Sequence, residues 1–153
     1  IETYSDLTEY SRNFVFSPTL AFENREDGLP GLQQNYDLKF KDIKSMDGAL
    51  RYQALKKGDA QVIDAYSTDG LLKKFNLKVL KDDKEFFPPY YAVPLVREEV
   101  VKEHPEVKEI LNKLSGKIDE ETMINLNYQV DEEGKTPEDV AHDFLVEQKL
   151  INK

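Results

Sequence analysis

The stretch FKDIKSMDGALRYQALKKGDAQVIDAY, residues 40–66, decides the fold. Phe40 to Ile43 reads as a strand. Ser45 reads as the cap of a helix that runs to Lys57 and stops at Gly58, and Gln61 to Ala65 reads as a second strand. Two strands joined through a helix by short connections argue for an α/β layer with a largely parallel sheet. Outward toward the N-terminus the pattern repeats. Ser5 is positioned to cap a short helix through Tyr10, Phe14-Val15-Phe16 reads as a buried strand, and Pro30 or Gly31 opens a short helix to about Tyr36. Between them lies a polar loop, Ser17 to Gly31, which carries Arg25 and is a natural place for a site.

Outward toward the C-terminus, Ser67-Thr68-Asp69-Gly70 is a polar turn opening a short helix to Phe75. A strand at Leu77 to Leu80 and a charged turn at Lys81 to Glu85 follow. The texture then changes. Phe86-Phe87-Pro88-Pro89-Tyr90-Tyr91 is a stiff aromatic segment, because each proline fixes its own φ and biases the residue before it toward extended backbone. It leads into an apolar strand, Ala92 to Val96, after which the chain reads as helices at about Glu98–His104, Pro105–Leu114, Asp119–Tyr128 and Thr136–Lys149. The expected division is therefore an α/β lobe at residues 1–87 and, at 88–153, one crossover strand with helices. One strand makes no sheet, so the second part is expected to be half of a lobe whose other strands lie elsewhere, or to associate through that strand.

Composition narrows the function. The 153 residues carry 21 Lys plus Arg against 30 Asp plus Glu, a formal charge of -9. Such a surface repels phosphate backbones and anionic headgroups, which argues against nucleic acid as a partner. There is no cysteine, so thiolate chemistry, disulfides and Cys-based metal sites drop out. No apolar run approaches the roughly 18 residues of a membrane span. The chain opens on Ile1 rather than Met, directly into a helical run, as expected for a piece of something longer.

Catalytic and cofactor signatures are missing: no glycine-rich phosphate or dinucleotide loop, no nucleophile elbow and no His-Glu-x-x-His occurs. His104 and His142 sit in charged helical stretches without a partner at ligand spacing, and read as surface residues. Asp59, Asp64 and Asp69 fall at strand ends and turns, where acids serve as caps; an enzyme reading would use Asp64, Asp69 and Tyr66 as acid and base groups. The tyrosines say more. Tyr66 ends the third strand, at the carboxyl edge where ligands of α/β sheets bind, and Tyr90 and Tyr91 follow the diproline. Such rings either cover a sheet edge or line a box for a quaternary ammonium group, which offers no strong hydrogen bond and is held by aromatic faces. Arg25 either grips a carboxylate through two parallel hydrogen bonds or is solvated among Glu23, Glu26 and Asp27.

Asp64-Ala65-Tyr66-Ser67-Thr68-Asp69-Gly70 and the run Leu80-Lys81-Asp82-Asp83-Lys84-Glu85-Phe86-Phe87-Pro88-Pro89-Tyr90-Tyr91-Ala92-Val93-Pro94 resemble the substrate-binding proteins of osmoprotectant ABC transporters. Glu23 to Leu32, Tyr52 to Asp59 and Leu111 to Ile118 carry the resemblance over nearly the whole chain. It implies a type II periplasmic-binding-protein fold, with one complete α/β lobe plus the C-terminal, mostly helical part of the other lobe. It implies a small quaternary-ammonium ligand such as glycine betaine, carnitine or choline, bound without a cofactor, and delivery to an ABC permease subunit or fused permease domain by lobe closure. Tyr66 and Tyr90 match members of the family's tyrosine box, and Arg25 matches the position that grips a ligand carboxylate. Tyr91 and Thr68 are adjacent candidates. The setting implied is extracytoplasmic at the membrane face, as a lipoprotein or fused to a permease. A sensor clamp attached to a regulatory module is the alternative.

Overall fold

The computed structural model describes residues 1–152, which fall into two compact units. Unit 1 comprises Ile1–Tyr66 and Phe75–Pro89; unit 2 comprises Ser67–Lys74 and the chain from Tyr90 onward.

Unit 1 opens with α1, Tyr4–Tyr10. Its cap is Thr3 rather than the expected Ser5. The Thr3 hydroxyl accepts the Asp6 N–H at 3.0 Å while the Asp6 carboxylate accepts the Thr3 N–H at 3.1 Å, a reciprocal box that satisfies two donors otherwise orphaned at the helix start. Ser5 lies inside the helix, its N–H donating to Asp83. A 3₁₀ turn, Ser11–Asn13, leads to β1, Val15–Ser17. The polar loop that follows contains a helix the sequence did not announce, α2 at Leu20–Asn24, capped by the Thr19 hydroxyl. Then come α3 (Leu29–Tyr36), β2 (Asp42–Ile43), α4 (Leu50–Lys57) and β3 (Val62–Ile63).

The sheet order is β2-β1-β3 and both pairings are parallel, as the strand-helix-strand pattern requires. Helix α4 stops at Gly58 as expected, because a residue at φ 80 ends a helix cheaply only when it lacks a Cβ. It starts later than expected. Ser45 donates its hydroxyl to Glu23 instead of capping, and Gly48 at φ 56 turns the chain before Leu50.

The expected strand at Leu77 to Leu80 does not form. Its partner would be the segment before α1, but that segment becomes helical at Tyr4. Pairing is confined to one bridge, Thr3 to Lys81, with Tyr4 donating to Lys81 at 3.0 Å and Lys81 to Glu2 at 2.9 Å. The core holds Leu7, Leu32, Tyr36 and Leu38, flanked by Tyr4, Phe14, Phe22, Phe40, Phe86 and Phe87. Tyr4 meets Tyr36 edge to face at 5.4 Å between ring centres, an arrangement that suits the ring quadrupoles.

Unit 2 contains α5 (Gly70–Lys74), α6 (Glu98–Glu103), α7 (Glu106–Asn112), α8 (Glu120–Asp131) and α9 (Pro137–Glu147). Asp119 and Thr136 cap the last two. Residues 92–96, expected as a strand, take no regular structure, since no neighbouring strand among the described residues offers them a ladder. Helices α5 and α8 approach closely at Gly70, where a Cβ would lie 2.8 Å from the Tyr128 nitrogen. Ser67 donates to Glu120 at 3.0 Å and Lys73 to Asn125 at 2.7 Å, so residues 67–74 are stitched along α8.

Candidate functional site

Parallel strands put their carboxyl ends on one edge of a sheet, and in open α/β sheets that edge is where ligands bind. In unit 1 this edge is formed by Ser17 at the end of β1, Lys44 and Ser45 after β2, and Asp64 to Tyr66 after β3. One expected site residue, Tyr66, lies on it, and the helix that leads to Arg25 starts from it. Tyr66 follows β3 by three residues and is 73% exposed. Arg25 is the C-cap of α2, the helix that rises from the end of β1.

The Arg25 guanidinium is engaged with Asp27, its Nε donating to Asp27 Oδ1 at 2.8 Å and a second nitrogen donating to Oδ2. This two-point fork is the geometry with which arginine recognises any carboxylate. The Arg25 hydrogen bond and charge hold the Asp27 carboxyl below its ordinary range. Both side chains are more than half exposed.

Beneath them lies an arrangement that sequence reasoning missed. Asp64 spreads its two oxygens over Thr19, accepting the Thr19 N–H at Oδ1 and the Thr19 hydroxyl at Oδ2, both at 2.9 Å. Arg51 of α4 is 8% exposed; its Nε donates to the Asp64 carbonyl at 2.9 Å and another nitrogen donates to the Gly48 carbonyl at 3.0 Å. Arg51 Nε also lies 3.5 Å from Asp64 Oδ1. The usable signal was Arg51 itself, on the buried face of an otherwise amphipathic helix beside Tyr52 and Ala54, because a buried guanidinium requires a partner.

The other candidates lie in unit 2. Thr68 is half-buried and its carbonyl accepts from the Asn127 side chain at 2.8 Å, which fixes its backbone against α8. Tyr90 and Tyr91 begin the long segment of unit 2, 70% and 81% exposed. The structure thus joins the segments of Arg25 and Tyr66 through Thr19 and Asp64, and assigns Thr68, Tyr90 and Tyr91 to the other unit. His104 and His142 are exposed, each beside an acid, and no group of three or more metal-ligating side chains occurs among the described residues. No helix among the described residues is long and apolar enough to cross a membrane.

The profile of the family described as the substrate binding domain of ABC-type glycine betaine transport systems matches residues 1–147. The chain belongs to this family. Among relatives of the family, the ergothioneine transport permease/ergothioneine binding protein EgtU of Helicobacter pylori is 46% identical over 145 residues, covering 95% of this chain and 26% of that protein. The carnitine transport binding protein OpuCC of Listeria monocytogenes is 43% identical over 146 residues, covering 95% of this chain and 47% of that protein. A solved structure described as a glycine betaine/carnitine/choline ABC transporter superposes with a TM-score of 0.89 at 41% identity, over 98% of this chain and 55% of that one. The chain spans about a quarter of the first relative's length and about half of the other two. The fold is that of a periplasmic-type binding protein, and these relatives are substrate-binding proteins of transport systems.

Proposed function

We propose that the protein carrying this chain binds a small trimethylammonium osmolyte and delivers it to an ABC importer by closure of its lobes. The observation that weighs most is the link, through Thr19 and Asp64, between the segment of an exposed tyrosine and that of an arginine that forms a two-point fork with the Asp27 carboxylate. A betaine needs those two elements. Its quaternary nitrogen is attracted to aromatic faces, each worth roughly 0.5 to 2 kcal/mol, and its carboxylate takes the bidentate arginine. Tyr66, Tyr90 and Tyr91 are assigned to the cation, Arg25 to the carboxylate, and Thr68 to a supporting contact. Residues 1–87 serve as one whole α/β lobe and residues 88–153 as the C-terminal part of the other.

The role makes and breaks no covalent bond in this chain. The partner is a permease, separate or fused, and the setting is extracytoplasmic at the membrane face, by lipid anchor or permease fusion. Glycine betaine, carnitine and the ergothioneine named for a relative share a trimethylammonium group and a carboxylate, whereas choline lacks the carboxylate.

Calorimetric titration of all four compounds into the full-length protein tests this. Tyr66→Ala is expected to weaken every ligand that binds, by roughly 0.5 to 2 kcal/mol. Arg25→Ala is expected to weaken the three carboxylates by about 1.5–3 kcal/mol and to leave choline nearly unchanged. Absence of saturable binding to any of the four would overturn the reading.

A further inference from the structure

We propose that Asp64 is a positioning residue: clamped by Arg51 and clamping Thr19, it holds the segments that carry Arg25 and Tyr66 in one fixed frame. The inference rests on the osmolyte reading above, and its geometry lies wholly within unit 1.

Asp64 directly follows β3 and stands two residues before Tyr66. Its carbonyl is pinned by Arg51 Nε at 2.9 Å, so the backbone leading to Tyr66 is tied to α4. Its carboxylate accepts from Thr19 at both oxygens, each at 2.9 Å, and its Oδ1 also lies 3.5 Å from Arg51 Nε. The Thr19 hydroxyl that donates to Asp64 also accepts the Phe22 N–H at 3.2 Å, which starts α2. Helix α2 has five residues and ends at its C-cap, Arg25. A helix this short moves as one body, so the angle at which Thr19 is held sets where Arg25 emerges. A second brace acts on the same helix, since Glu23 accepts the Ser45 hydroxyl and Pro18 accepts the Met46 N–H at 2.9 Å.

Arg51 and Asp64 are the charged centre of this arrangement, with side chains only 9% and 16% exposed. Neither reaches the surface that a ligand would touch as Arg25 and Tyr66 do. A plain structural stitch would affect all ligands alike, because losing folded protein lowers binding capacity without changing the ratio of dissociation constants. A positioning role predicts a change in selectivity. The Thr19 bonds steer only α2 and hence Arg25, which serves carboxylate-bearing ligands. The Arg51 bond to the Asp64 carbonyl steers the approach to Tyr66, which serves every trimethylammonium ligand.

Glycine betaine and choline are titrated separately into the full-length protein and its Thr19→Val, Thr19→Ser and Asp64→Asn variants. Thr19→Val, which deletes the hydroxyl but keeps the N–H, is expected to weaken glycine betaine about tenfold, equivalent to about 1.4 kcal/mol, with choline little changed. Thr19→Ser is expected to restore the wild-type ratio, and Asp64→Asn, which alters the contacts to Thr19 and keeps the carbonyl that Arg51 holds, to weaken glycine betaine and leave choline little changed. An unchanged betaine-to-choline ratio in Thr19→Val would overturn the proposal. Amide hydrogen exchange without ligand provides an independent arm, in which Asp64→Asn should speed exchange at residues 19–25 and leave α3 and α9 at wild-type rates. Unchanged exchange overturns the node whatever the ligand. Raised exchange in a protein that binds neither probe supports the node and overturns the osmolyte reading alone.

Discussion

The two units differ in what their apolar residues do. In unit 1 Leu7, Phe16, Leu29, Leu32, Tyr36, Leu38 and Tyr52 are buried around a parallel sheet, and the aromatic pair Phe86 and Phe87 folds back onto that core. In unit 2 the buried hydrophobic residues are Leu72, Val140 and Phe144, while Val93, Ile110 and Leu95 stand exposed, Leu95 at 98%. A sheet covered by helices closes its own core. The helices of unit 2 follow an extended segment with no ladder among the described residues, and fewer of the described buried hydrophobic residues lie there.

The sharpest way to break this contrast is to delete comparable apolar side chains from each unit. Phe16→Ala, at a site 2% exposed, is expected to cost about 3–5 kcal/mol, the transfer of the ring plus the cavity it leaves. Leu95→Ala in the same chain is expected to stay within about 0.5 kcal/mol of wild type. Urea midpoints at constant m-value measure both, and a Leu95 cost matching that of Phe16 would mean that residues 92–96 are covered after all. Unit 2 is tight in one place, where α5 meets α8. Gly70→Ala would bring a Cβ to 2.8 Å and 2.9 Å from the Tyr128 backbone, which cannot retreat as a flexible side chain could. The expected cost is about 1–3 kcal/mol, read as the same urea midpoint shift. A neutral Gly70→Ala would show that α5 is not held against α8.

The same contrast explains what could be read from the sequence. The places of the three strands along the chain and their parallel pairing were legible because each follows from local apolar runs and stops such as Gly58. The strand at 77–80 was misread because its apolar residues permit a ladder, but the competing helix propensity and capping box at Thr3 to Asp6 remove its partner. The strand at 92–96 was misread for the opposite reason, since its apolar pattern was real and no described neighbour pairs with it. Helix α2 was hidden because five residues give too little periodicity. The positions of Arg25 on a loop and of Tyr66 just beyond a strand were legible. The Thr19, Asp64 and Arg51 node was not, because it depends on residues 45 positions apart meeting in space.

A finer comparison uses pH, because each unit carries a polar contact that fails on a different side of neutrality. In unit 1 the Tyr36 hydroxyl donates to Asp82 and accepts the Lys84 N–H at 2.7 Å, while the second Asp82 oxygen accepts the Phe87 N–H at 2.7 Å. Burial, then the hydrogen bond to Asp82, pushes the Tyr36 phenol well above its ordinary value of 10.0. A folded value that is raised favours folding while the phenol stays neutral. That contribution is whole below about pH 10 and is lost as pH rises beyond it, because only the unfolded chain ionises freely. Burial raises the Tyr4 phenol as well, so ultraviolet titration of the phenolates should show late tyrosines, one of which is lost in Tyr36→Phe.

The smallest effect expected is the mirror case in unit 2. Asp119 caps α8, its carboxylate accepting the Thr122 N–H at 2.8 Å, and hydrogen bonding to Thr122 lowers its carboxyl below the ordinary 3.8. A depressed folded value contributes stability above about pH 4 that is lost as pH falls through the folded value, where protonation removes the charge favoured at a helix N-terminus. Asp119→Asn keeps a capping oxygen and removes the titration. Wild type should therefore exceed Asp119→Asn slightly in thermal midpoint near pH 6, and the difference should vanish by about pH 2, with helix content followed by circular dichroism. A constant difference across that range would mean that the cap acts through geometry alone, and that charge at the start of α8 contributes nothing to holding unit 2 together.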